Sequence, residues 1–399
     1  MSKNHQTLII LACGGLILAL SMGVRQSFGL FAQDVSSQVG IGLAGFGLAI
    51  AVQNLLWGLF TPLAGIAADR FGVRLVVVLG GVLYGAGTLL MAWGTTPVSL
   101  GISSVLVGFA VSATGFPLIL GTVARVVPPQ RRSMALGITS SGGTVGQFIL
   151  SPLAGFLHSS AGWVTSLVVL AVLAFVIMPL AYALVVPADQ SATQESDQTI
   201  GEALREAGGH RGFLLLTAGF CVCGFHIAFV GTHLPGYLSS AGLPLLLGAT
   251  ALGVIGFFNI IGTLSAGYLG DIYKKKYLLV MIYLVRAVII TVFLIGGKNQ
   301  FTVLIFSMVF GLFWLSTVPL TSGLVGQIFG PRYMSTLFGI VMLSHQLGAF
   351  FGAWLGGVSY DITGSYDSIW YASIILGVIS ALLHWPIADA PVARLARQA

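Results

Sequence analysis

Charge is what this chain most lacks. Only 7% of its 399 residues are Asp, Glu, Lys or Arg, whereas an ordinary soluble domain carries about 25% to wet its surface, so a water-soluble globular fold is excluded. Acidic residues number 11, and none falls in the middle of an apolar run. Cysteine is rare too. Cys13, Cys221 and Cys223 all sit inside apolar runs, and the Cys221-Val222-Cys223 spacing lacks the partner ligands of a metal site, so they read as packing residues. No phosphate-binding loop, catalytic triad or metal-ligand cluster is present in the sequence. The expectation is no enzyme, no metal and no cofactor, with energy drawn from gradients.

What is abundant is apolar. The chain is 56% hydrophobic with 54 glycines and a mean hydropathy of +0.98. Its apolar runs last 20 residues or more, longer than the roughly 10-residue alternating segments of a porin-type barrel. The fold class expected is therefore an all-α polytopic membrane protein embedded in a lipid bilayer. The net charge of +6 fits basic loops better than nucleic-acid binding, and no nucleic-acid partner is expected. The start, Met1 to Gly23, reads as a retained first helix without a convincing cleavage site.

At about 20 residues per crossing, helices fall near 8–33, 41–67, 75–94, 98–125, 133–157 and 163–186, then near 212–238, 245–269, 277–296, 301–328, 335–358 and 367–388. Twelve transmembrane helices result, with bundles at 1–186 and 212–399 joined by a polar linker at 187–211. If the N-terminus is cytoplasmic, fourteen loop and terminal cations lie inside and only Lys298 outside. The positive-inside rule then puts both termini in the cytoplasm of a cell with this chain in its inner membrane. A monomer is expected.

A shift of 202 residues superposes Gly65 on Gly267, Asp69 on Asp271, Pro117 on Pro319, Gly121 on Gly323, Ser133 on Ser335 and Gly155 on Gly357. One offset aligning breakers in separate regions indicates two parallel six-helix repeats, with a site expected between them near the midplane.

Gly65-Ile-Ala-Ala-Asp69-Arg70-Phe-Gly72-Val-Arg74, between helices 2 and 3, resembles the signature loop of the major facilitator superfamily, and Gly267-Tyr-Leu-Gly-Asp271 resembles its second copy. Physically, Gly65 permits close helix contact, Asp69 is placed to pair with a loop cation or a neighbouring helix N-terminus, and Arg70 and Arg74 can form a charge-relay clamp. The resemblance implies a gating role for Gly65, Asp69, Arg70, Arg74 and Asp271 at the cytoplasmic face. The loop is shared by carriers of sugars, drugs and anions and names no substrate.

The only cations inside the spans are Arg25 and Arg286. A mid-membrane arginine costs about 2.5–3.5 kcal/mol even on insertion scales, so it is expected to face the bundle interior or water and to serve a function. With no acidic partner in the membrane, it is free to hold a carboxylate in bidentate fashion. The stretch Gly23-Val-Arg25-Gln26-Ser27-Phe28-Gly29-Leu-Phe31 resembles helix 1 of the monocarboxylate transporter and oxalate:formate antiporter branch, where such a cation implies a contact to the substrate anion. Arg286 reads equally as a structural arginine bonded to carbonyls. In that branch helix 8 carries an arginine shortly before the second loop, whereas here the region reads Phe257-Phe258-Asn259, so polar contacts from Asn259 replace it.

Histidine titrates near neutrality, which makes His233 and His345, and less so His226, candidates for handling a proton or the substrate. Asn54 and Gln53 on helix 2, with Trp57 and Trp314 as apolar walls, complete the expected cavity. The function expected is secondary transport of a small organic anion, a monocarboxylate, by alternating access, as proton symport or anion exchange. The competing readings are a proton-driven exporter of drugs or hydrophobic compounds, disfavoured by the missing membrane carboxylate, and a non-transporting membrane sensor, disfavoured by the short linker and tail.

Overall fold

The structure, a computed structural model, describes residues 3–127, 132–184, 199–330 and 334–393. In the first repeat α1 (Lys3–Gln26) runs through a 3-10 turn (Ser27–Phe31) into α2 (Ala32–Val39), followed by α3 (Leu43–Phe71), α4 (Val73–Trp93), α5 (Pro97–Thr114) with α6 (Phe116–Val126), α7 (Arg132–Ala161), and α8 (Trp163–Phe175) with α9 (Ile177–Ala181). The helix α10 (Ile200–Gly209) precedes the second repeat. That repeat comprises α11 (Arg211–Ser240), α12 (Leu245–Ile272), α13 (Lys275–Ile295), α14 (Gln300–Leu312) with α15 (Thr317–Phe329), α16 (Met334–Thr363) and α17 (Asp367–His384). Residues 185–198, most of the expected linker, lie outside the described residues.

Among the described residues, eleven helical stretches are long and apolar enough to cross a membrane. The twelfth expected span is α7, whose 30 residues cover about 45 Å at 1.5 Å per residue. Its Gly, Ser and Thr content lowers its hydropathy because it packs between α1 and α12, where small residues allow helices to approach. The two repeats correspond in detail. α7 and α16 are both 30 residues long, and the fourth span of each half breaks, at Gly115 in one and at Phe313 to Ser316 in the other. Both had been expected as single helices.

The first span also runs beyond its expected end at 33, so Asp34 falls within α2 and pairs with His158 of α7 at 2.8 Å. On the linker side, Thr199 caps α10. Its hydroxyl accepts the Glu202 N–H at 3.3 Å, while the Glu202 carboxylate accepts the Thr199 N–H at 2.7 Å. These bonds hold the Glu202 carboxyl below its ordinary pKa.

The two halves meet along two seams, α3 with α16 and α7 with α12. We call the end that carries the first described residues, the α3–α4 and α12–α13 turns and α10 the terminal end, and the opposite one the far end. At the far end the seams are closed on backbone. A side chain on Gly357 would strike the Leu43 carbonyl, and one on Gly47 the Ala353 carbonyl. On the other seam the glycines meet side chains instead, Gly155 the Ala249 methyl and Gly253 the Pro152 ring. Midway, Gly58 faces Gln346 and Gly256 faces Gln147 and Phe148. Further toward the terminal end, a Cβ at Gly65, at Gly339 opposite it by register, or at Gly267 would meet nothing within 4 Å among the described residues.

The close contact that Gly65 permits is not made among the described residues in this conformation. The glycine is of use only when the terminal ends of α3 and α16 close. Gly65→Leu or Gly339→Leu should leave this open state within about 0.5 kcal/mol of its stability and disfavour terminal closure by about 1–3 kcal/mol through overpacking. Spin-label distances between the terminal ends of α3 and α16, read beside the thermal midpoint, check this; closure at the normal population in both variants would remove the rung from the cycle.

Candidate functional site

Arg25 stands one residue before the end of α1, where the helix tightens into the 3-10 turn. Ser27 anchors that turn by donating to the Gly23 carbonyl at 2.9 Å. The turn in turn lets Gly29 lie directly on the Gly231 and Thr232 backbone of α11, roofing the space beneath at the far end. Arg25 is only partly buried. Its Nη2 donates to Asn54 Oδ1, and its guanidinium carbon lies 5.1 Å from the centre of the Trp57 ring, within cation–π range. Its Nε is buried with no partner among the described residues.

A cavity opens at this point between the halves, lined by Arg25, Gln26, Gln53 and Asn54 from the first repeat and by Ile227, Gly231 and Thr232 from the second. Its amides are unusually free. Gln53 is fully buried with neither amide atom bonded, and Gln26 Nε2 is likewise unpaired. Gln346, near Gly58 on the adjoining seam, has both amide atoms unpaired. Leaving such groups unpaired in a low-dielectric interior costs about 1–3 kcal/mol each, so they favour a polar solute entering between them. The structure thus brings together Arg25 and Asn54 of the expected site. Gln26 and Gln346 had not been singled out for binding, although each directly follows a residue that had.

Three other expected binding residues serve a different structure. The break between α14 and α15 frees the Phe313 and Trp314 carbonyls, and Arg286, fully buried on α13, takes both. Its Nε donates to Phe313 O at 3.0 Å, and its Nη2 to Phe313 O and to Trp314 O at 2.6 Å. From α12, Asn259 Oδ1 accepts the Leu315 N–H at 3.0 Å and the Thr263 hydroxyl at 2.9 Å. Trp314 is itself completely buried against Phe310. None of the three lines the cavity containing Arg25.

The histidines sit between helices of the second repeat. His233 Nε2 donates to the Ala353 carbonyl at 2.6 Å, and His226 Nε2 to the Ser373 carbonyl at 2.8 Å; a carbonyl can only accept, which fixes the proton on Nε2. His345 packs on Phe220 with its Nδ1 unpaired. At the terminal end, Arg74 is exposed with its guanidinium carbon 5.3 Å from the centre of the Tyr182 ring, and Asp271 is exposed. The side chains of Asp69 and Arg70 lie outside the described residues.

Two parallel six-helix repeats, with a cavity between them near the far-end turn, set the fold of this membrane protein. The profile of the Major Facilitator Superfamily matches residues 11–297 and 264–399, and the chain belongs to that family. Among curated proteins it is similar to the uncharacterized MFS-type transporter YcxA of Bacillus subtilis (strain 168), 23% identical over 92% of each chain. It resembles monocarboxylate transporter 13 of Rattus norvegicus, 25% identical over 88% of this chain and 81% of the other. The oxalate:formate antiporter of Oxalobacter formigenes is 22% identical over 96% of this chain and 90% of its own. These relatives are transporters, not enzymes. By structure the chain is similar to the nucleoside transporter NupG, with a TM-score of 0.77, 14% identity and coverage of 96% and 99%. It also matches a bacterial Spinster homologue in an inward-facing, unoccupied conformation, with a TM-score of 0.71, 16% identity and coverage of 95% and 96%. At such identities these structures speak for the fold alone.

Because Arg286 and Asn259 hold one helix break from two sides, their removal should not add. Arg286→Met and Asn259→Ala should each lower thermal stability, and a double-mutant cycle should give a coupling of about 0.5–3 kcal/mol. Strict additivity in thermal melts would separate the two roles.

Proposed function

We propose that the protein is a secondary transporter of a small organic anion, a monocarboxylate, working by proton symport or anion exchange. The observation that carries this reading is Arg25 at the junction of the halves, with an unpaired Nε and no carboxylate among the described residues lining its cavity. A guanidinium so placed suits a carboxylate, and Asn54 orients it. The similarity to a monocarboxylate transporter and an oxalate:formate antiporter supports the same chemistry. The bundles 1–186 and 212–399 rock about the linker 187–211. The terminal end is the cytoplasmic side of the inner membrane, by the excess of cations there, and the open terminal seams then make the conformation inward-facing. Asp69 and Arg70, with Gly65, Arg74 and Asp271, hold the opposite, cytoplasmically closed state.

Arg25→Gln should abolish uptake of labelled monocarboxylates by proteoliposomes while the protein stays folded, and Arg25→Lys should retain part. Normal uptake by the glutamine variant would sink the assignment. If a proton rides on histidine, His233→Gln or His345→Gln should spare substrate counterflow and remove stimulation by an inward pH gradient. Gradient-driven uptake surviving in the double variant would leave the proton to the substrate itself.

A further inference from the structure

The signature loop places a glycine four residues before an aspartate and another three after it, as Gly65-Ile-Ala-Ala-Asp69-Arg-Phe-Gly72. The same spacing recurs at the opposite end of α3's partner, as Gly357-Val-Ser-Tyr-Asp361-Ile-Thr-Gly364 at the end of α16. Each aspartate stands two residues before its helix ends, and both closing glycines, Gly72 and Gly364, have positive φ, at 87° and 70°. The two helices run antiparallel, which brings Asp361 beside the N-terminus of α3.

At the far end that arrangement is engaged. The Asp361 carboxylate crosses from the second repeat to the first and accepts the Leu43 N–H at 3.0 Å and the Ala44 N–H at 2.8 Å. These are the opening residues of α3, whose own N-cap, Gly42, has no side chain to serve them. Gly357, one turn earlier, lets the Leu43 and Ala44 backbone come close enough for the carboxylate to reach. A carboxylate at a helix N-terminus gains both from the hydrogen bonds and from the positive end of the helix dipole. In the repeat-related place Gly155 and Gly162 remain but Ser159 stands where the aspartate would be, so only one seam carries the charge.

We propose that Asp361 is a far-end latch, a charged cap lent by one half to the other, which stabilises the conformation closed at the far end and has to release α3 before that end opens. Opening the far end separates Leu43 from Gly357 and leaves the first N–H groups of α3 without their acceptor. The latch is thus a state-dependent interaction, and by linkage only such interactions bias the two conformations. Its action does not depend on which substrate is carried.

The test uses the full chain in lipid nanodiscs without substrate, with spin labels on cysteines at Thr95 and Lys298, exposed positions in far-end loops of the two halves, in a background free of Cys13, Cys221 and Cys223. Asp361→Asn removes the charge. Gly42→Ser puts a side chain where the Asp361 carboxylate now sits and gives α3 a cap of its own, without touching Asp361. Both should raise the ratio of far-end-open to far-end-closed molecules about two- to fivefold, with the thermal midpoint little changed. A purely structural Asp361 would instead lower the midpoint and leave the ratio alone. Should Asp361→Asn fail to fold, Gly42→Ser decides by itself. Distance distributions identical to those of the parent protein in the folded variants would overturn the proposal.

Discussion

Two helices can approach to within backbone distance only where a glycine leaves room, and the halves of this protein meet in that way, backbone on backbone along α3 and α16 and glycine against small side chain along α7 and α12. At the far end the contacts at Gly47, Gly155, Gly253 and Gly357 leave no room for a methyl group. Lipid offers no hydrophobic drive for helix association, so close packing and hydrogen bonding must hold the seams. Everything else in the architecture follows from where that contact starts and stops. It closes over the Arg25 cavity on one side, fades near Gly58 and Gly256, and is absent at Gly65, Gly267 and Gly339. A single set of glycines, unevenly engaged, therefore records which way the molecule faces.

The second constraint is that a backbone group in the membrane needs a partner within the protein. A helix can be interrupted there only if side chains replace the missing bonds. Arg286 and Asn259 do so for the α14–α15 break, one serving carbonyls and the other an N–H. In the first repeat the side chains near the Gly115 break bond elsewhere: Ser112 donates to the Trp57 carbonyl of α3 at 3.1 Å, and Tyr84, the repeat mate of Arg286, to the Ser21 carbonyl of α1 at 2.7 Å. Equivalent positions thus serve different helices: Arg286 holds the carbonyls of a helix break, while Tyr84 holds a carbonyl within α1.

The fold was legible because its signals are long. Apolar runs and an offset shared by many breakers survive any local ambiguity, and they define twelve spans and two repeats. The interruptions at Gly115, at Ser27 to Phe31 and at Phe313 to Ser316 were not legible, since hydropathy continues across them and Pro117 and Pro319 mark a helix start as readily as a kink. Of the site, Arg25 and Asn54 were each legible as polar residues facing the interior, whereas the bond between them was not. The engagement of Arg286, Asn259 and Trp314 at a break depended on knowing that the break exists. The bare rung at Gly65 belongs to one of two conformations encoded by the same residues, and no sequence distinguishes which of them is occupied.

A fixed guanidinium between the halves of such a molecule also has an electrical consequence. On the proposed reading, and in the exchange mode, Arg25 and a bound monoanion together are neutral, while the vacated site keeps a positive charge. One elementary charge moved through the full membrane potential is worth about 2.3 kcal/mol per 100 mV. To the extent that the site shifts within the field as the halves rock, voltage acts on the return of the empty carrier and leaves the loaded step almost untouched. Exchange of one anion for another, which never passes through the empty form, is then the voltage-insensitive mode of the cycle.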